Sequence, residues 1–333
     1  MKMKGKMKGI YLESRYTLFI SLIYFYKIKN DIFYFINDNM EKNLNLRIIK
    51  CIILKKIEKK DFLYSYRKWR ESHKLLKIIK NFEEIYLQDH ITYSQFFLNN
   101  FKGKISLLED GSLNYNIKLI ETEANRKIKK IKINKYFRKC IIEKRKKEYK
   151  IYGLSEKISK IYLTGVLPIP NLIKDKVEII NIKEIWSNLS QEAKKEILEV
   201  FNMDIKKFQI LKEDDRKILL LTQPLSEDKI ITEEEKIKIY REIIEKQNGR
   251  KIYIKAHPRE KTNYKEVFKN FNIEVIENTF PIELFLLLNI KFDKVITLFS
   301  TGALNFKGKA EVEFIGTEKY PKLYERFGKI EMK

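Results

Sequence analysis

Short apolar runs alternate with longer amphipathic stretches through the first half of the chain. The runs have the length of buried strands, and the amphipathic stretches repeat apolar residues with the period of a helix. In chain order the pattern predicts strand 10–12, helix 16–27, strand 32–36, strand 84–87, helix 93–99, strand 105–108 and strand 161–164. Such alternation is typical of a parallel sheet covered by helices, so it predicts an α/β domain.

The second half carries clearer signals for the starts and ends of helices. The stretch 190–202 begins with a capping serine, and Thr232 with Glu235 forms a capping box for a helix that ends at Asn248-Gly249. Apolar runs predict strands at 217–221, 251–255 and 294–299. We therefore expect a second α/β domain in this half.

Turn-forming residues concentrate between the two halves, at residues 165–170. They suggest a domain boundary, with an N-terminal Rossmann-like domain at 1–167 and a C-terminal one at 168–333. Each domain is predicted to contain a parallel sheet, and the two are expected to face each other. Ligands of such sheets bind beyond the carboxyl ends of the strands, which indicates where functional residues should be sought.

Composition adds a strong positive charge to this picture. The 333 residues are 44% hydrophobic, enough for two cores, and the formal net charge is +24. The charge favours a partner that bears phosphates or an anionic membrane surface, and residues 126–150 are especially basic. Lys, Ile and Asn are enriched throughout the chain, so a merely solvated surface explains the excess equally well.

The cysteines and the N-terminal region predict the compartment. Cys51 and Cys140 stand far apart without a CxxC motif, which suggests neither a disulfide framework nor a zinc site and fits a reducing compartment. The apolar stretch 16–26 is too short to span a bilayer, and no cleavage site follows it. A cytoplasmic protein is the resulting expectation, and the positive charge would suit a peripheral position on the inner face of the membrane.

One scarce histidine follows a predicted strand of the second domain. Of His73, His90 and His257, we single out His257 because strand 251–255 ends just before it and Pro258 fixes the turn after it. An imidazole at a strand end can donate a hydrogen bond or a proton to a phosphate oxygen. A structural histidine in a turn would have the same sequence context.

Other polar residues follow neighbouring strands of the same domain. Ser300, Thr301 and Gly302 come after strand 294–299, where backbone N–H groups and hydroxyls suit a phosphate, although this is also an ordinary helix cap. Glu283 stands in the first turn of a helix, where an acid either complements the helix dipole or holds ribose hydroxyls.

Candidate bases occur at two places. Strand 105–108 ends in Glu109-Asp110-Gly111, where Asp110 could accept a proton from a sugar hydroxyl, although an Asp-Gly turn is common. The loop that follows Thr222-Gln223-Pro224 offers Glu227 and Asp228 as well. Glu13-Ser14-Arg15, after the first strand, could contact an acceptor, and a helix cap at Ser14 explains the same residues.

Taken together, these motifs resemble those of glycosyltransferase family 52, the bacterial lipooligosaccharide sialyltransferases. The resemblance rests on an acidic-Asp-Gly motif, a His-Pro motif and several flanking segments in the family's order: Glu109-Asp110-Gly111, Leu221-Thr222-Gln223-Pro224-Leu225, residues 253–260 around His257-Pro258, Phe280-Pro281-Ile282-Glu283 and Phe299-Ser300-Thr301-Gly302-Ala303. It covers nearly the whole chain and is strongest from residue 219 to residue 302. Bacterial polysialyltransferases are similar more distantly.

The resemblance implies a GT-B fold, with the acceptor bound by the N-terminal domain and the donor by the C-terminal domain. It implies transfer of sialic acid from CMP-sialic acid to a terminal sugar of lipooligosaccharide or lipopolysaccharide, with inversion and without a metal. No cofactor is expected, and Asp214-Asp215 precedes a strand instead of following one, unlike a metal-binding DxD site. The family further suggests a homodimer.

The resemblance also implies a role for each candidate residue. His257 would contact or protonate the CMP phosphate, Asp110 would be the general base, and Asp228 is the reserve base. The expected donor-binding residues are Thr222, Gln223, His257, Pro258, Arg259, Glu283, Ser300, Thr301 and Gly302. Glu283 would hold the ribose, and Ser300 and Thr301 would bind the phosphate.

Three alternatives remain at this stage. Another nucleotide-sugar glycosyltransferase of the same family, such as a glucosyltransferase, would share these motifs. A basic nucleic-acid-binding protein would explain the charge, but the lysines are spread along the chain and no helix-turn-helix, zinc-finger or RNA-binding signature occurs, so nucleic acid is not an expected partner. An inactive scaffold would leave the strand-end residues together by coincidence.

Overall fold

The computed structural model describes residues 7–41, 44–54, 74–91, 93–127, 149–203, 217–276 and 279–330. Several features of the sequence lie outside the described residues: His73, Cys140, Asp214-Asp215 and most of the basic stretch 126–150. The chain divides into two compact units, Met1–Asn202 and Met203–Lys333.

The described part of the first unit is built on a seven-stranded parallel sheet. Its strands are β1 (Met7–Leu12), β2 (Ile32–Asn37), β3 (Cys51–Leu54), β4 (Phe82–Leu87), β5 (Lys104–Leu108), β6 (Ile158–Leu163) and β7 (Val177–Ile179). They lie in the order β3-β2-β1-β4-β5-β6-β7, so the winding reverses between β1 and β4. This reversal is the point where Rossmann-like sheets leave a crevice for a ligand.

The described part of the second unit contains a five-stranded parallel sheet. Its strands are β8 (Ile218–Leu221), β9 (Ile252–Lys255), β10 (Ile273–Ile276), β11 (Lys294–Thr297) and β12 (Glu311–Phe314). Their order is β10-β9-β8-β11-β12, which places the reversal between β8 and β11. The central strand β8 is buried along its whole length, as expected for a parallel sheet covered on both faces.

Helices connect the strands of both sheets. In the first unit they include α1 (Arg15–Tyr24), α2 (Asp38–Glu41), α3 (Ser94–Asn100), α4 (Ile117–Asn125), α5 (Ile182–Ser187) and α6 (Gln191–Val200). In the second unit they include α7 (Glu233–Glu245), α8 (Tyr264–Val267), α9 (Glu283–Leu287) and α10 (Pro321–Phe327). None of the helices within the described ranges has the length and apolarity needed to cross a membrane.

Helix starts follow the predicted capping chemistry. The side chain of Ser14 accepts a hydrogen bond from the backbone N–H of Thr17 at the start of α1, and Ser190 does the same for Ala193 in α6. The capping box predicted for α7 is present, with Thr232 as its first residue. Helix α1 ends at Tyr24, earlier than predicted, and a 3₁₀ helix follows it.

The predicted domain boundary between residues 167 and 168 is wrong. Strand β7 pairs with β6 in the first sheet, and the backbone N–H of Ile180 donates to the carbonyl of Leu163. The ring of Phe19 on α1 contacts those of Trp186 and Phe201, at centroid distances of 6.4 and 6.0 Å. The first unit therefore continues to Asn202, because the turn residues at 165–170 end a strand and not a domain.

Candidate functional site

The predicted site residues of the second unit follow strands at its carboxyl edge. His257 comes after β9, Thr222 and Gln223 come after β8, and the segment Ser300-Thr301-Gly302 comes after β11. Strands β8 and β11 flank the reversal of the sheet, and β9 is the other neighbour of β8. The fold thus brings the residues that were predicted to bind a donor to one edge of one sheet.

His257 is held in a defined orientation. Its backbone N–H donates to Glu260 Oε1 at 2.6 Å, and its Nδ1 accepts the backbone N–H of Arg259 at 3.2 Å. Because Nδ1 accepts a hydrogen bond, the proton of the neutral ring belongs on Nε2. His257 can therefore donate a hydrogen bond to a ligand through Nε2.

The surroundings of His257 favour the neutral imidazole. Burial, and secondly the positive charge of Arg259, lower the pKa of His257 to about 4, against the opposing effect of Asp228 and Glu227. The ring is therefore uncharged near neutral pH. A bound anion would raise the pKa of His257 again, which is the behaviour required of a group that donates a proton to a leaving phosphate.

Glu260 fixes the turn that carries His257. Its side chain is fully buried and accepts hydrogen bonds from Thr222 Oγ1 at 2.6 Å and from the hydroxyl of Tyr264, besides that from His257. Burial raises the pKa of Glu260, and the hydrogen bonds oppose that rise. Thr222, predicted to contact the donor, uses its hydroxyl here to join the ends of β8 and β9. Its neighbour Gln223 is anchored through its backbone N–H to the hydroxyl of Tyr240.

Ser300 lies just beyond β11. Thr297 Oγ1 donates to the carbonyl of Leu221 at 3.1 Å and accepts the backbone N–H of Ser300 at 3.0 Å, which ties the ends of β8 and β11 together. Ser300 occupies the cap position of the 3₁₀ helix Thr301–Phe306, yet its side chain makes no capping hydrogen bond. The structure therefore does not support the interpretation of Ser300 as an ordinary helix cap.

Glu283 lies beside the same turn. Glu283 Oε1 accepts a hydrogen bond from Asn305 Nδ2 at 3.0 Å, and the same amide donates to the carbonyl of Gly302. A Cβ atom on Gly302 would lie 3.1 Å from Ile282 Cγ2, so a glycine suits this close approach. Glu283 does occupy the first turn of α9, as predicted, and it is linked to the segment predicted to bind the phosphate.

Arg259 and Asp228 form a bidentate ion pair. The two guanidinium nitrogens Nη1 and Nη2 each contact one carboxylate oxygen of Asp228, the second at 3.0 Å. A cavity of about 560 Å³ opens beside the pair and is lined by both residues, but not by His257. Both oxygens of the reserve base are thus engaged by a cation. Pro258, between the two predicted donor residues, is exposed.

In the first unit, Asp110 pairs with a histidine that sequence reasoning missed. His90 Nε2 lies 3.0 Å from Asp110 Oδ2, and both side chains are only about one-sixth exposed, at 15% and 17%. The backbone N–H of Asp110 donates to Asn114 Oδ1 at 2.6 Å, and Gly111 has a φ of +60°, which glycine adopts without strain. Asp110 therefore lies at a strand end with its carboxylate oriented by an imidazole.

The carboxylates around His90 favour its charged form. Burial by itself lowers the pKa of His90, but the hydrogen bond to Asp110 and the charges of Asp110 and Asp89 outweigh it and raise the pKa. Asp89 is buried and accepts the backbone N–H groups of Tyr152 and Gly153, and burial raises its pKa to about 6. The signal that identified His257 could also have identified His90, because His90 too follows a predicted strand.

Glu109, the first residue of the acidic motif, has a structural role. It is fully buried and accepts hydrogen bonds from the hydroxyls of Tyr16, Tyr115 and Thr164, at 2.6 to 3.0 Å. Burial raises the pKa of Glu109, and these hydrogen bonds oppose the rise. Glu109 thus fixes the strand end next to Asp110.

The Glu13-Ser14-Arg15 segment is also partly structural. Ser14 caps α1, as described above. Glu13 Oε1 accepts hydrogen bonds from the hydroxyl of Tyr11 at 2.7 Å and from Asn37 Nδ2 at 3.1 Å. A contact of these residues with an acceptor stays a prediction.

Comparison with known proteins identifies the type of enzyme. Residues 24–317 match the model of glycosyltransferase family 52. A protein of Haemophilus influenzae that is described as uncharacterized is 42% identical over 247 residues, which are 74% of this chain and 72% of that protein.

Solved structures share the fold at low sequence identity. The α/β-galactoside α-2,3-sialyltransferase of Photobacterium phosphoreum has a TM-score of 0.62 at 13% identity, over 93% of this chain and 90% of that one. The 2,6-sialyltransferase of Photobacterium sp. JT-ISH-224, in complex with CMP and lactose, has a TM-score of 0.60 at 12% identity, over 93% and 71%. The predicted α/β fold of GT-B type is thereby confirmed.

Proposed function

This chain belongs to glycosyltransferase family 52, and we propose that it transfers sialic acid from CMP-sialic acid to a terminal sugar of lipooligosaccharide or lipopolysaccharide. The observation that carries the proposal is the position and state of His257. A neutral imidazole that can donate through Nε2 lies at the carboxyl edge of the second sheet, near segments suited to a phosphate.

The chemistry of the donor fits this imidazole. When CMP leaves the anomeric carbon, negative charge develops on its phosphate, and a preorganised donor stabilises that charge. The side chain of His257 would supply the hydrogen bond or the proton, and Ser300 and Thr301 would supply hydroxyls to the same phosphate. Glu283, which lies beside the Ser300-Thr301-Gly302 turn, would accept hydrogen bonds from the ribose.

Asp110 is the better candidate for the general base. Inversion requires that the acceptor hydroxyl lose its proton as its oxygen attacks the anomeric carbon, and a carboxylate can accept that proton. Asp110 is held by a single imidazole, whereas both oxygens of Asp228 contact the guanidinium of Arg259. We therefore assign acceptor activation to Asp110 and keep Asp228 as the alternative.

Binding of CMP tests the donor class. At a CMP concentration 100 times its dissociation constant, the linkage relation gives a stabilisation of about 2.7 kcal/mol. We expect a clear rise in Tm with CMP, and a much smaller one with UDP at the same concentration. Turnover of UDP-glucose in a radiolabelled donor panel, without turnover of CMP-sialic acid, would contradict the sialyl assignment.

The transfer rate after dialysis against EDTA should equal the rate of the untreated protein, since no metal is assigned a role.

The acceptor suggests a use for the positive charge. A lipid-linked oligosaccharide lies at the membrane, and each suitably placed Lys or Arg contributes about 1 kcal/mol of attraction to an anionic leaflet. We expect the protein to co-sediment with vesicles that contain about 30% phosphatidylglycerol and to be released by 0.5 M salt, because salt screens the attraction. Equal binding to purely zwitterionic vesicles would argue against an electrostatic association.

A further inference from the structure

A lysine of the second unit is buried among three carboxylates. The side chain of Lys236, on α7, has no exposed surface. Its Nζ lies 2.9 and 3.1 Å from the two oxygens of Glu227, 3.0 Å from Glu233 Oε2 and 3.9 Å from Glu260 Oε2. Lys236 is thus the central positive charge of a group with three negative ones.

Each of these carboxylates holds part of the loops after β8 and β9. Glu227 accepts the backbone N–H of Lys261 at 2.6 Å. Glu233 accepts hydrogen bonds from Thr262 Oγ1 and from Ser226 Oγ. Glu260 accepts the backbone N–H of His257, as described above. The turn that presents His257 is therefore connected to α7 through carboxylates that meet at Lys236.

Charge balance gives the lysine a stabilising role in this arrangement. Glu227 and Glu260 lose most of their hydration on burial, whereas Glu233 is partly exposed, and the three carboxylates repel each other; the ammonium group of Lys236 compensates both effects. Burial by itself raises the pKa of Glu227 and Glu233, but their hydrogen bonds, including those to Lys236, outweigh it and lower both pKa values. Without the ammonium group, the loops would have to separate or the carboxylates would have to take up protons.

We propose that Lys236 is a positioning residue of the donor site, whose charge holds the loops after β8 and β9 in the geometry that presents His257. The proposal rests on the function proposed above for His257, and Lys236 itself touches no donor. The proposal assigns an indirect role in donor binding to a lysine of the amphipathic helix α7.

The test compares K236M with K238M. Methionine keeps the apolar stem of lysine and removes its charge, and Lys238 is an exposed residue of the same helix, so K238M makes the same charge change at the surface. The first measurement is the pKa of His257 by NMR titration, with H257Q identifying its signal. We expect the pKa of His257 to rise from about 4 to above about 5 in K236M, as the loops admit water, and to stay unchanged in K238M.

The second measurement is the affinity for CMP. At pH 8 we expect the dissociation constant of CMP to increase at least about tenfold in K236M, because breaking the buried ion pair displaces the turn that carries His257. In K238M the dissociation constant should increase less than about twofold. Absence of CMP binding by the unaltered protein would refute the donor assignment, while the titration of His257 would still decide the role of Lys236. An unchanged pKa of His257 in folded K236M would overturn the inference.

The pH dependence of Tm separates charge from packing. In the unaltered protein the pKa values of Glu227 and Glu233 are lowered, so their stabilisation is present above pH about 4.5 and is lost as the pH falls. In K236M burial would raise the pKa values of Glu227 and Glu233, and that of Glu260, which burial already raises, would rise further, so stability would be lost as the pH rises. The Tm deficit of K236M should therefore be larger at pH 8 than at pH 5.5, and a deficit independent of pH would refute the charge role.

Other ionisable groups near this cluster are the same in the variants that are compared. They are Asp228, Arg259, His257, Tyr240 and Tyr264. If K236M fails to fold at pH 8, the double variant K236M/E233Q provides the decision, because it removes one negative charge together with the positive one. We expect the double variant to fold at pH 8 where K236M does not, and failure of the double variant to fold there would overturn the inference.

Discussion

Replacing His257 by alanine should lower kcat/KM for sialyl transfer by about 10²- to 10⁴-fold, the range that positioned acid catalysts contribute. The alanine variant removes the Nε2 donor, while the backbone N–H that contacts Glu260 remains and keeps the turn in place. The Tm should therefore change little. The measurement is steady-state transfer with CMP-sialic acid, next to a thermal melt of the same preparation.

A glutamine at this position distinguishes two contributions of the imidazole. Glutamine can donate a hydrogen bond but cannot give up a proton near neutral pH. If His257 acts by hydrogen bonding alone, H257Q should recover part of the lost rate, and if it protonates the leaving phosphate, H257Q should be as slow as H257A. Full transfer activity in H257A would show that the histidine has a purely structural role in its turn.

The sequence predicted which strands the candidate site residues follow. Strands β5 and β9 are mainly apolar runs, so their ends could be predicted from the sequence, with Asp110 placed beyond β5 and His257 beyond β9. The edge strands β3, β7, β10 and β12 of the two described sheets were missed because they are only three or four residues long and mostly partly buried, with the sequences CIIL, VEI, IEVI and EVEF. An edge strand covered on few sides has no strong apolar signature to recognise.

Two residues were missed for a different reason. His90 follows β4 as His257 follows β9, but its pairing with Asp110 depends on β4 and β5 being neighbours, which the sequence does not state. Lys236 lies in a helical segment rich in charges, which the sequence predicts to be solvent-exposed. The helix alone brings Glu233 close to it, and only the tertiary structure adds Glu227 and Glu260. In both cases part of the contacts joins residues that are distant in sequence.

The identity of the general base is decided by comparing D110N with D228N. Asparagine is nearly the same size as aspartate but cannot accept the proton of the acceptor hydroxyl. We expect D110N to lower kcat by about 10²- to 10⁴-fold with little change in the KM for the donor, since a general base acts in the transition state.

The matched variant D228N should behave differently. It weakens the contact with Arg259, which lies two residues after His257, so its main effect should be a higher KM for the donor, with kcat reduced less than about tenfold. A loss of kcat in D228N together with near-normal turnover in D110N would transfer the role of base to Asp228. In that case Arg259 would have to release the carboxylate before the proton could be accepted, because both oxygens contact the guanidinium in this structure.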